Sequence, residues 1–450
     1  MRADVIVIGA GISGLACAHE LLKRGLKVLI LEAQSRVGGR ILTWRDSGLQ
    51  TPFELGAEFI HGAPSATLKS FETFGLSFYD ACDNHLFYQD GKLQNLDDFW
   101  ERLQKITGHL QEKPGKDRSV LDFLESQKRI SLQDRQAFQA FVEGFHAGDL
   151  HLMSEAGLAK SEQTQETSLN GSQMFRISGG YDQLFQGFVH SLPPDENILR
   201  LQTLVKKITW RSGHVRIEAQ TNTGIPLPAF LAKAVVVTVP LGVLKAPKAA
   251  KAAIEWDPFP KELQNALEGM RMGEVQRFIF HFRNRFWEEL SEKPIGFLHA
   301  GPDKYFPTWW TVMPMRAPLL TAWQGGPKAT EMSLWSEEER VKTALMTLSE
   351  ITGRSITYLS EQLQGWMTHN WSRDPFFLGA YSYITVGGAK AVQRLTRPFE
   401  DTLYFAGEAT APDRHRGTVH GALDSGLKAA QKILQLGFSH SETPRSRTTE

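Results

Sequence analysis

The chain has 450 residues, 41% of them hydrophobic and 22% charged, which is ordinary for a globular protein and long enough for two domains or more. Fifty basic residues balance fifty acidic ones, so no overall positive field exists to attract nucleic acid or an anionic membrane. The two cysteines, Cys17 and Cys82, exclude a disulfide framework and a cysteine-rich zinc site, and we expect no bound metal.

The sequence also carries no recognisable targeting or membrane segment. The apolar run after Met1 is too short for a signal peptide, and no stretch approaches the roughly 18 apolar residues that span a bilayer. Residues 438–450 are polar and are predicted to be a disordered tail. We therefore expect a soluble, cytoplasmic protein, a monomer or homodimer, with neither membrane nor nucleic acid as a partner.

The first segment has the pattern of a βαβ unit. Val5–Ile8 is an apolar run typical of a strand buried on both faces, and Ile12–Arg24 has helical periodicity that Gly25 ends. Lys27–Leu31 is a second apolar run. A parallel sheet with a crossover helix is the expected start of the fold.

The region from about 85 to 170 has few glycines and predicts amphipathic helices over Asp97–Leu110 and Leu132–Phe145. Another helix is predicted over Tyr181–Leu192. We interpret this region as the helical part of a second domain.

Strand-like and helical runs then alternate toward the C-terminus. The predicted strands are Leu204–Ile208, His214–Ile217, Ala234–Thr238 and Leu403–Gly407, and the predicted helices lie around Glu337–Leu348 and over Val419–Leu436. Because the sheet-like signals are far apart in sequence, the pattern indicates a discontinuous cofactor domain into which the other domain is inserted in two pieces.

Gly9-Ala10-Gly11-Ile12-Ser13-Gly14 is a G-x-G-x-x-G turn between the first strand and the first helix. Gly9 permits the tight turn, Gly11 lets a pyrophosphate approach the backbone, and Gly14 lets the helix pack against the strand. The helix N-terminus at Ile12 and Ser13 presents free N–H groups to phosphate. Glu32, followed by Ala33, closes the next strand, where a carboxylate accepts hydrogen bonds from a ribose hydroxyl.

After Glu32 come Arg36, Gly38, Gly39 and Arg40, whose backbone and guanidinium groups can provide a second phosphate contact. The run E-A-x-x-R-x-G-G-R after G-x-G-x-x-G resembles the FAD-binding signature of the flavin amine oxidases, which include monoamine oxidases, polyamine oxidases and lysine-specific histone demethylases. The resemblance implies an α/β fold with a Rossmann-like FAD-binding domain of the GR2 type and an inserted α+β substrate-binding domain. We expect the FAD-binding domain at 1–80, 196–250 and 391–437, and the substrate domain as a helical part, 81–195, and a sheet part, 251–390.

Glu54 to Gly62 resembles the family segment that runs beside the isoalloxazine ring and contacts it through the backbone. By this resemblance Gly56, Ala57, Glu58 and Phe59 bind the cofactor. The ending Ile-His-Gly looks most like polyamine oxidases and makes His61 a candidate substrate-site residue, although a structural histidine near a turn is an equal alternative. Glu58 is either a surface carboxylate or a contact that attracts an ammonium group.

Leu403–Glu408 and Gly417–Ala422 resemble the family's C-terminal FAD motif. The resemblance implies that Gly407 lies close to the cofactor, that Glu408 binds its ribityl region, and that the helix beginning at Val419 directs its N-terminus at the flavin. Such a helix dipole stabilises a reduced, anionic flavin.

The stretch from Asn370 to Tyr383 resembles the segment at the flavin face, with Trp371 against the cofactor and Tyr381 as an aromatic wall of the substrate cage. Core packing is the alternative role for Trp371. Ala380 stands where monoamine oxidases carry a cysteine linked to the flavin, which implies non-covalent FAD. Thr418 replaces the second tyrosine of that cage, and Val205 matches a residue whose backbone contacts adenine.

One position departs from the family pattern. Arg277 stands where a lysine usually holds a water on flavin N5. A guanidinium is planar, always charged and bulkier than an ammonium, which puts rapid reoxidation by oxygen in question.

These resemblances imply FAD-dependent oxidation of a small-molecule amine, possible substrates being a polyamine or another extended amine. A hydride passes from the carbon beside nitrogen to flavin N5, the imine hydrolyses, and O2 becomes H2O2. Arg277, His61 and Tyr381 are the candidate catalytic residues. The alternatives are a desaturase or protoporphyrinogen-oxidase-like enzyme, an L-amino-acid oxidase, and a non-catalytic flavin-binding protein.

Overall fold

A computed structural model describes residues 1–49, 51–62, 64–96, 98–113, 115–163, 173–194 and 198–436. The predicted tail at 438–450 and the predicted helix start at Asp97 lie outside these residues.

The strands of the described residues are short and are distributed along the whole chain. They are β1 (Val5–Ile8), β2 (Val28–Leu31), β3 (Thr43–Trp44), β4 (Phe53–Glu54), β5 (Ile60–His61), β6 (Phe78–Asp80), β7 (His85–Gln89), β8 (Lys92–Gln94), β9 (Met174–Ile177), β10 (Leu199–Arg200), β11 (Leu204–Arg211), β12 (His214–Gln220), β13 (Phe230–Ala232), β14 (Ala234–Val237), β15 (Glu255–Asp257), β16 (Met270–Gly273), β17 (Val275–Phe282), β18 (Phe297–His299), β19 (Thr308–Thr311), β20 (Leu319–Gly325), β21 (Leu363–Met367), β22 (Tyr381–Ile384) and β23 (Leu403–Phe405).

The α-helices begin at the first βα turn and end close to the last described residue. They are α1 (Ile12–Lys23), α2 (Ser65–Phe74), α3 (Phe99–Thr107), α4 (Val120–Ser126), α5 (Leu132–Phe145), α6 (Glu155–Gln163), α7 (Asp182–His190), α8 (Leu241–Leu244), α9 (Lys261–Glu268), α10 (Pro327–Met332), α11 (Glu337–Thr352), α12 (Ile356–Gln362), α13 (Ala389–Leu395) and α14 (Val419–Gln435). None of these helices combines the length and the apolarity needed to cross a bilayer.

A five-stranded parallel sheet in the order β10-β2-β1-β14-β23 contains β1 and β2, the two strands of the predicted βαβ unit. All residues of β1, β2 and β14 are buried, as expected of strands covered on both faces. On one face α1 packs against α14 closely, because Gly426 leaves room for the Ser13 carbonyl that a Cβ there would approach to 2.1 Å. This sheet confirms the predicted Rossmann-like fold, and its strands come from three separate stretches of the chain.

The predicted helices and strands are present, with small differences at their ends. The helix predicted over Leu132–Phe145 has those bounds, and the helix at Glu337 continues to Thr352. The prediction of a helical region from 85 onward is wrong at its start, where β7 and β8 form a hairpin. The turn is Asp90-Gly91, both with positive φ, and an Asp-Gly pair is a hairpin signal that could have been read from the sequence.

The hairpin belongs to a seven-stranded sheet in the order β21-β17-β20-β19-β18-β7-β8. Phe278, Phe280 and Phe282 of β17 contribute to a buried core with residues of α11, such as Leu345 and Leu348. Because β17 alternates its side chains, Arg277 and Ile279 point to the opposite face of this sheet.

Candidate active site

The phosphate-binding turn has the geometry that its glycines predict. Gly9 has a φ of 105°, and Gly14 lies so close to the turn that an added Cβ would be 2.0 Å from the Gly9 carbonyl oxygen. Around Gly11 the nearest atom to an added Cβ, Gly39 Cα, is 3.9 Å away. Gly11 therefore leaves open space where a pyrophosphate can approach the backbone.

Glu32 is held rigidly at the end of β2. Its carboxylate accepts hydrogen bonds from Ala10 N at 2.7 Å and Gln34 N at 2.8 Å. Burial raises the pKa of this carboxyl, while these hydrogen bonds oppose the shift. The contact with Ala10 couples the acid to the phosphate-binding turn itself.

The two arginines of the following loop have different roles. The Arg36 guanidinium donates to the carbonyls of Val37 and Gly39, at 3.2 and 2.8 Å, and so braces its own loop. Arg40 donates from Nη1 to Ala380 O at 2.7 Å and to Glu408 Oε1 at 2.9 Å. The predicted phosphate contact by the Arg36 guanidinium is therefore not supported, because this group is used within the loop.

A cavity of about 1480 Å³ begins at the phosphate-binding turn and extends to the helical part of the chain. Ligand pockets usually measure about 300–1,000 Å³, so this one has room for more than one molecule. The candidate residues that line it are Gly9, Gly11, Ile12, Ser13, Glu32, Ala33, Gly39, Arg40, Gly56, Ala57, Glu58, Phe59, His61, Val205, Arg277, Trp371, Tyr381, Gly407, Glu408, Thr418 and Val419. Gly14 does not line the cavity, because it packs against the Gly9 carbonyl of the turn.

The segment predicted to run beside the flavin is fixed by bonds to its backbone. Trp371 Nε1 donates to Leu55 O at 3.0 Å, and Ala57 N donates to Arg40 O at 3.1 Å. A Cβ on Gly56 would lie 2.0 Å from the Arg40 carbonyl oxygen, so the close approach requires glycine. Trp371 therefore lines the cavity and is also buried, so core packing does not exclude the predicted cofactor contact.

Glu58 is not a surface carboxylate, because it is buried between two arginines. Arg176 Nε donates to Glu58 Oε1 at 2.8 Å, and Arg277 Nη2 donates to Oε2, which also accepts from Trp310 Nε1 at 3.0 Å. Burial alone would raise the pKa of Glu58, but Arg176 and Arg277 hold it below its usual value. With both oxygens engaged by cations, this carboxylate does not offer a free negative charge to an ammonium group.

Arg277 is 5% exposed and lies on β17 at the cavity wall. Besides Glu58, it donates from Nη1 to Gly56 O at 2.6 Å. Its Nε is buried and has no acceptor within the described part of the chain. The arginine at the usual lysine position therefore supports the backbone beside the cavity and keeps one N–H unsatisfied.

Tyr381 and Thr418 both line the cavity. Tyr381 Oη donates to Phe145 O at 2.7 Å, which joins β22 to the end of α5. Thr418 is the N-cap of α14, because its Oγ1 accepts from Gly421 N at 3.0 Å. The Tyr381 ring lies against Gly417, where an added Cβ would be 3.3 Å from Cδ2.

His61 faces an aromatic environment rather than an ionic one. Its ring is edge-on to Phe145 with a centroid distance of 5.5 Å. Burial lowers the pKa of His61 to about 4 and that of nearby His420 to about 3. Both imidazoles are therefore neutral at pH 7.

Several cavity residues were not predicted from the sequence. They are Phe145, Glu162, Trp310, Trp323 and His420 at the wall, and Arg176 behind it. For Arg176 the sequence offers no signal, because its partner Glu58 is 118 positions away. The motif Gly-Thr-Val-His around Thr418 did point to the neighbourhood of His420.

The cavity fits FAD in its shape and its polar groups. The open space at Gly11 can accommodate a pyrophosphate, and Glu32 can accept hydrogen bonds from a ribose. At the opposite end of the cavity, the unsatisfied Arg277 Nε–H can donate to an acceptor on the cofactor. We therefore expect an adenine end near Val205 and a ring system between Gly56 and Thr418.

Comparison with known proteins agrees with this geometry. The family model of flavin containing amine oxidoreductases matches residues 12–434. Polyamine oxidase 4 of Oryza sativa subsp. japonica is 29% identical over 462 residues, covering 95% of this chain and 88% of its own length. Lysine-specific histone demethylase 1 homolog 2 of the same organism is 29% identical over 461 residues, and the match spans 58% of that longer protein.

The fold also matches solved structures. A putrescine oxidase structure, of the wild type bound to putrescine, has a TM-score of 0.79 at 20% identity and covers 97% of this chain and 99% of its own. The chain therefore belongs to the family of flavin-containing amine oxidoreductases, as an enzyme whose cofactor is FAD.

Proposed function

We propose that this enzyme oxidises an extended amine that carries a second amino group, with O2 as the electron acceptor. The observation that carries the proposal is that one continuous cavity runs from the phosphate-binding turn past Tyr381 to the helical part of the chain. Gly11 and Glu32 would hold FAD there non-covalently, and the cofactor would supply a two-electron acceptor for the hydride equivalent from the carbon beside the amine nitrogen, with O2 as the final oxidant.

The reacting end of the substrate meets aromatic and neutral side chains. Phe59, Trp310 and Trp323 line the cavity beside Tyr381, and Trp323 is fixed by its Nε1 bond to Gly144 O at 2.8 Å. Such walls orient an amine and exclude water. Because His61 is neutral at pH 7, its imidazole adds no positive charge that would repel a substrate ammonium group.

The second amino group has a candidate partner in Glu162. This half-buried carboxylate of α6 lines the cavity and is 3.0 Å from His146 Nε2. Within the described residues it contacts no guanidinium or ammonium, whereas Glu58 and Glu408 are paired with arginines. A cationic substrate end would complete this site, and polyamine oxidases among the relatives support an extended substrate.

The His61 and Tyr381 segments favour this function over a desaturase or porphyrinogen oxidase. An L-amino-acid oxidase would need an arginine for the substrate carboxylate. Arg40 and Arg277, two of the five arginines that line the cavity, are engaged by Glu408 and Glu58 and so do not offer a free guanidinium to a carboxylate.

The decisive experiment mixes the FAD-loaded enzyme with amines in the absence of oxygen and follows the flavin absorbance. Spermidine and putrescine should bleach the flavin faster than the monoamine butylamine or an L-amino acid. Admission of oxygen should then restore the colour and release H2O2. Fast bleaching by an L-amino acid alone would assign a different substrate class, and no bleaching by any compound would leave a flavin-binding protein without this activity.

A matched variant tests the role of Glu162. Glu162→Gln should raise KM for putrescine about tenfold, equivalent to about 1.4 kcal/mol, and leave butylamine oxidation unchanged. Asp122→Asn on the neighbouring α4, which does not line the cavity, is the control. An equal effect of Glu162→Gln on both amines would contradict a distal ammonium site.

A further inference from the structure

Arg176, Glu58 and Arg277 form a buried cluster, which we name the guanidinium triad. Both oxygens of Glu58 accept from the arginines, and the side chains of all three are at most 8% exposed. Two guanidinium groups and one carboxylate leave a formal charge of +1 at the cavity wall.

Aromatic faces shield this charge from water. Arg277 Cζ is 5.3 Å from the Trp310 ring centroid, and Arg176 Cζ is 4.7 Å from the Phe59 centroid. A cation in such a low-dielectric surrounding acts on nearby charge far more strongly than one in water.

The triad is also connected to the backbone beside the cavity. Arg277 donates to Gly56 O, and Arg176 donates to Thr311 O and Met313 O at 3.0 and 2.8 Å. These bonds fix the position of both guanidinium groups. The two guanidinium groups therefore keep their positions at the cavity wall when the charge of the cofactor changes.

We propose that the guanidinium triad is an electrostatic element that raises the reduction potential of the bound flavin, with Arg277 as the cation at the cavity and Glu58 and Arg176 as positioning residues. The reduced flavin carries more negative charge than the oxidised form, so a fixed net positive charge stabilises it preferentially. The unsatisfied Nε–H of Arg277 is available to a flavin or water acceptor. This inference depends on FAD binding but not on the identity of the amine.

The test is the two-electron midpoint potential of the FAD-loaded protein, measured without amine or oxygen against a reference dye. Arg277→Gln removes the net charge and should lower the potential. Glu58→Gln leaves two unneutralised cations and should raise it. We expect each change to alter the oxidised-to-reduced ratio at a fixed potential at least tenfold, which is about 30 mV for a two-electron couple.

The opposite signs separate this role from a structural one, because general loosening of the site would move both variants in the same direction. Arg277→Lys keeps the charge and should stay close to the wild type. Arg118→Gln is the matched control, since it removes a cation from the buried Glu155 outside the cavity and should leave the potential unchanged.

Shifts of the same sign for Arg277→Gln and Glu58→Gln would overturn the proposal. So would a shift in Arg277→Lys as large as that in Arg277→Gln. If the Glu58→Gln protein does not bind FAD, the Arg176→Gln variant is measured in its place. Arg176→Gln should lower the midpoint potential as Arg277→Gln does. An unchanged midpoint potential in Arg176→Gln would contradict the role of the guanidinium triad. Because no amine is present, an enzyme that fails the activity test still gives a potential.

Discussion

Arg40 Nη1 lies 2.9 Å from Glu408 Oε1, so a salt bridge joins the first FAD signature to the last across 368 residues. The other carboxylate oxygen, Oε2, accepts from Ser382 Oγ at 2.7 Å. One acid therefore connects three stretches of chain at the cavity. Its negative charge neutralises Arg40, which an amide in the same place would not do.

Glu408→Gln should weaken this junction by about 1–3 kcal/mol, because Arg40 would lose its charged partner while Glu408 itself is only 4% exposed. The partial exposure of Arg40 places the effect below that of a fully buried pair. Urea unfolding with saturating FAD measures it. Glu218→Gln on the surface of β12 is the control, and equal stability of Glu408→Gln and wild type would contradict this role.

Gly11 and Gly14 of the phosphate-binding turn should respond differently when each is replaced by alanine. Gly14→Ala brings a Cβ into the Gly9 carbonyl and should destabilise the fold by about 1–3 kcal/mol. Gly11→Ala meets open space and should leave stability without FAD unchanged, yet raise the Kd for FAD about tenfold or more by obstructing the pyrophosphate. Thermal unfolding and fluorescence titration with FAD separate the two effects. A Gly11→Ala protein with unaltered FAD affinity would show that phosphate binds elsewhere.

Thr418→Ala should reduce stability by about 1 kcal/mol, because the N-cap hydrogen bond to Gly421 N at the start of α14 is lost. Thr418→Ser keeps the oxygen and should restore most of that loss. The measurement is the unfolding free energy of both variants with FAD bound. If serine were as destabilising as alanine, packing of the threonine methyl group rather than capping would be responsible.

Acid should destabilise the protein through His61. Its pKa is lowered by burial to about 4 in the folded state, against a usual value of 6.5, so the unfolded chain binds more protons between these values. Stability is therefore full above about pH 6.5 and falls as the pH drops toward 4. Between pH 7.5 and 5.0 this one residue should account for about 2 kcal/mol.

His61→Gln should remove that contribution and lose less stability on acidification than the wild type. Unfolding by urea at pH 7.5 and 5.0, with FAD in excess, measures the difference. The exposed His214→Gln should behave like the wild type. An unchanged pH dependence in His61→Gln would mean that this imidazole is not buried in its neutral form.

Local sequence determined the parts of the site that depend on short-range geometry. Gly9, Gly11 and Gly14 lie within one turn, and Glu32 follows one helix later, so strand, turn and helix periodicity sufficed to predict the phosphate-binding unit. The helix beginning at Val419 was recognisable for the same reason. The helical pattern of the residues that follow does not show where the helical region begins, whereas Asp90-Gly91 marks the β7–β8 hairpin before it.

Tertiary structure alone decided the charges around the predicted flavin face. The residues next to Glu58 in the sequence are compatible with either a surface carboxylate or a carboxylate that contacts an ammonium group. Its actual partners, Arg176 and Arg277, are 118 and 219 residues away and arrive on β9 and β17. The sequence determines which groups can ionise and which segments can approach a nucleotide. Whether a carboxylate stays free or is neutralised depends on distances across the fold, because Coulomb energy follows separation and burial rather than chain order.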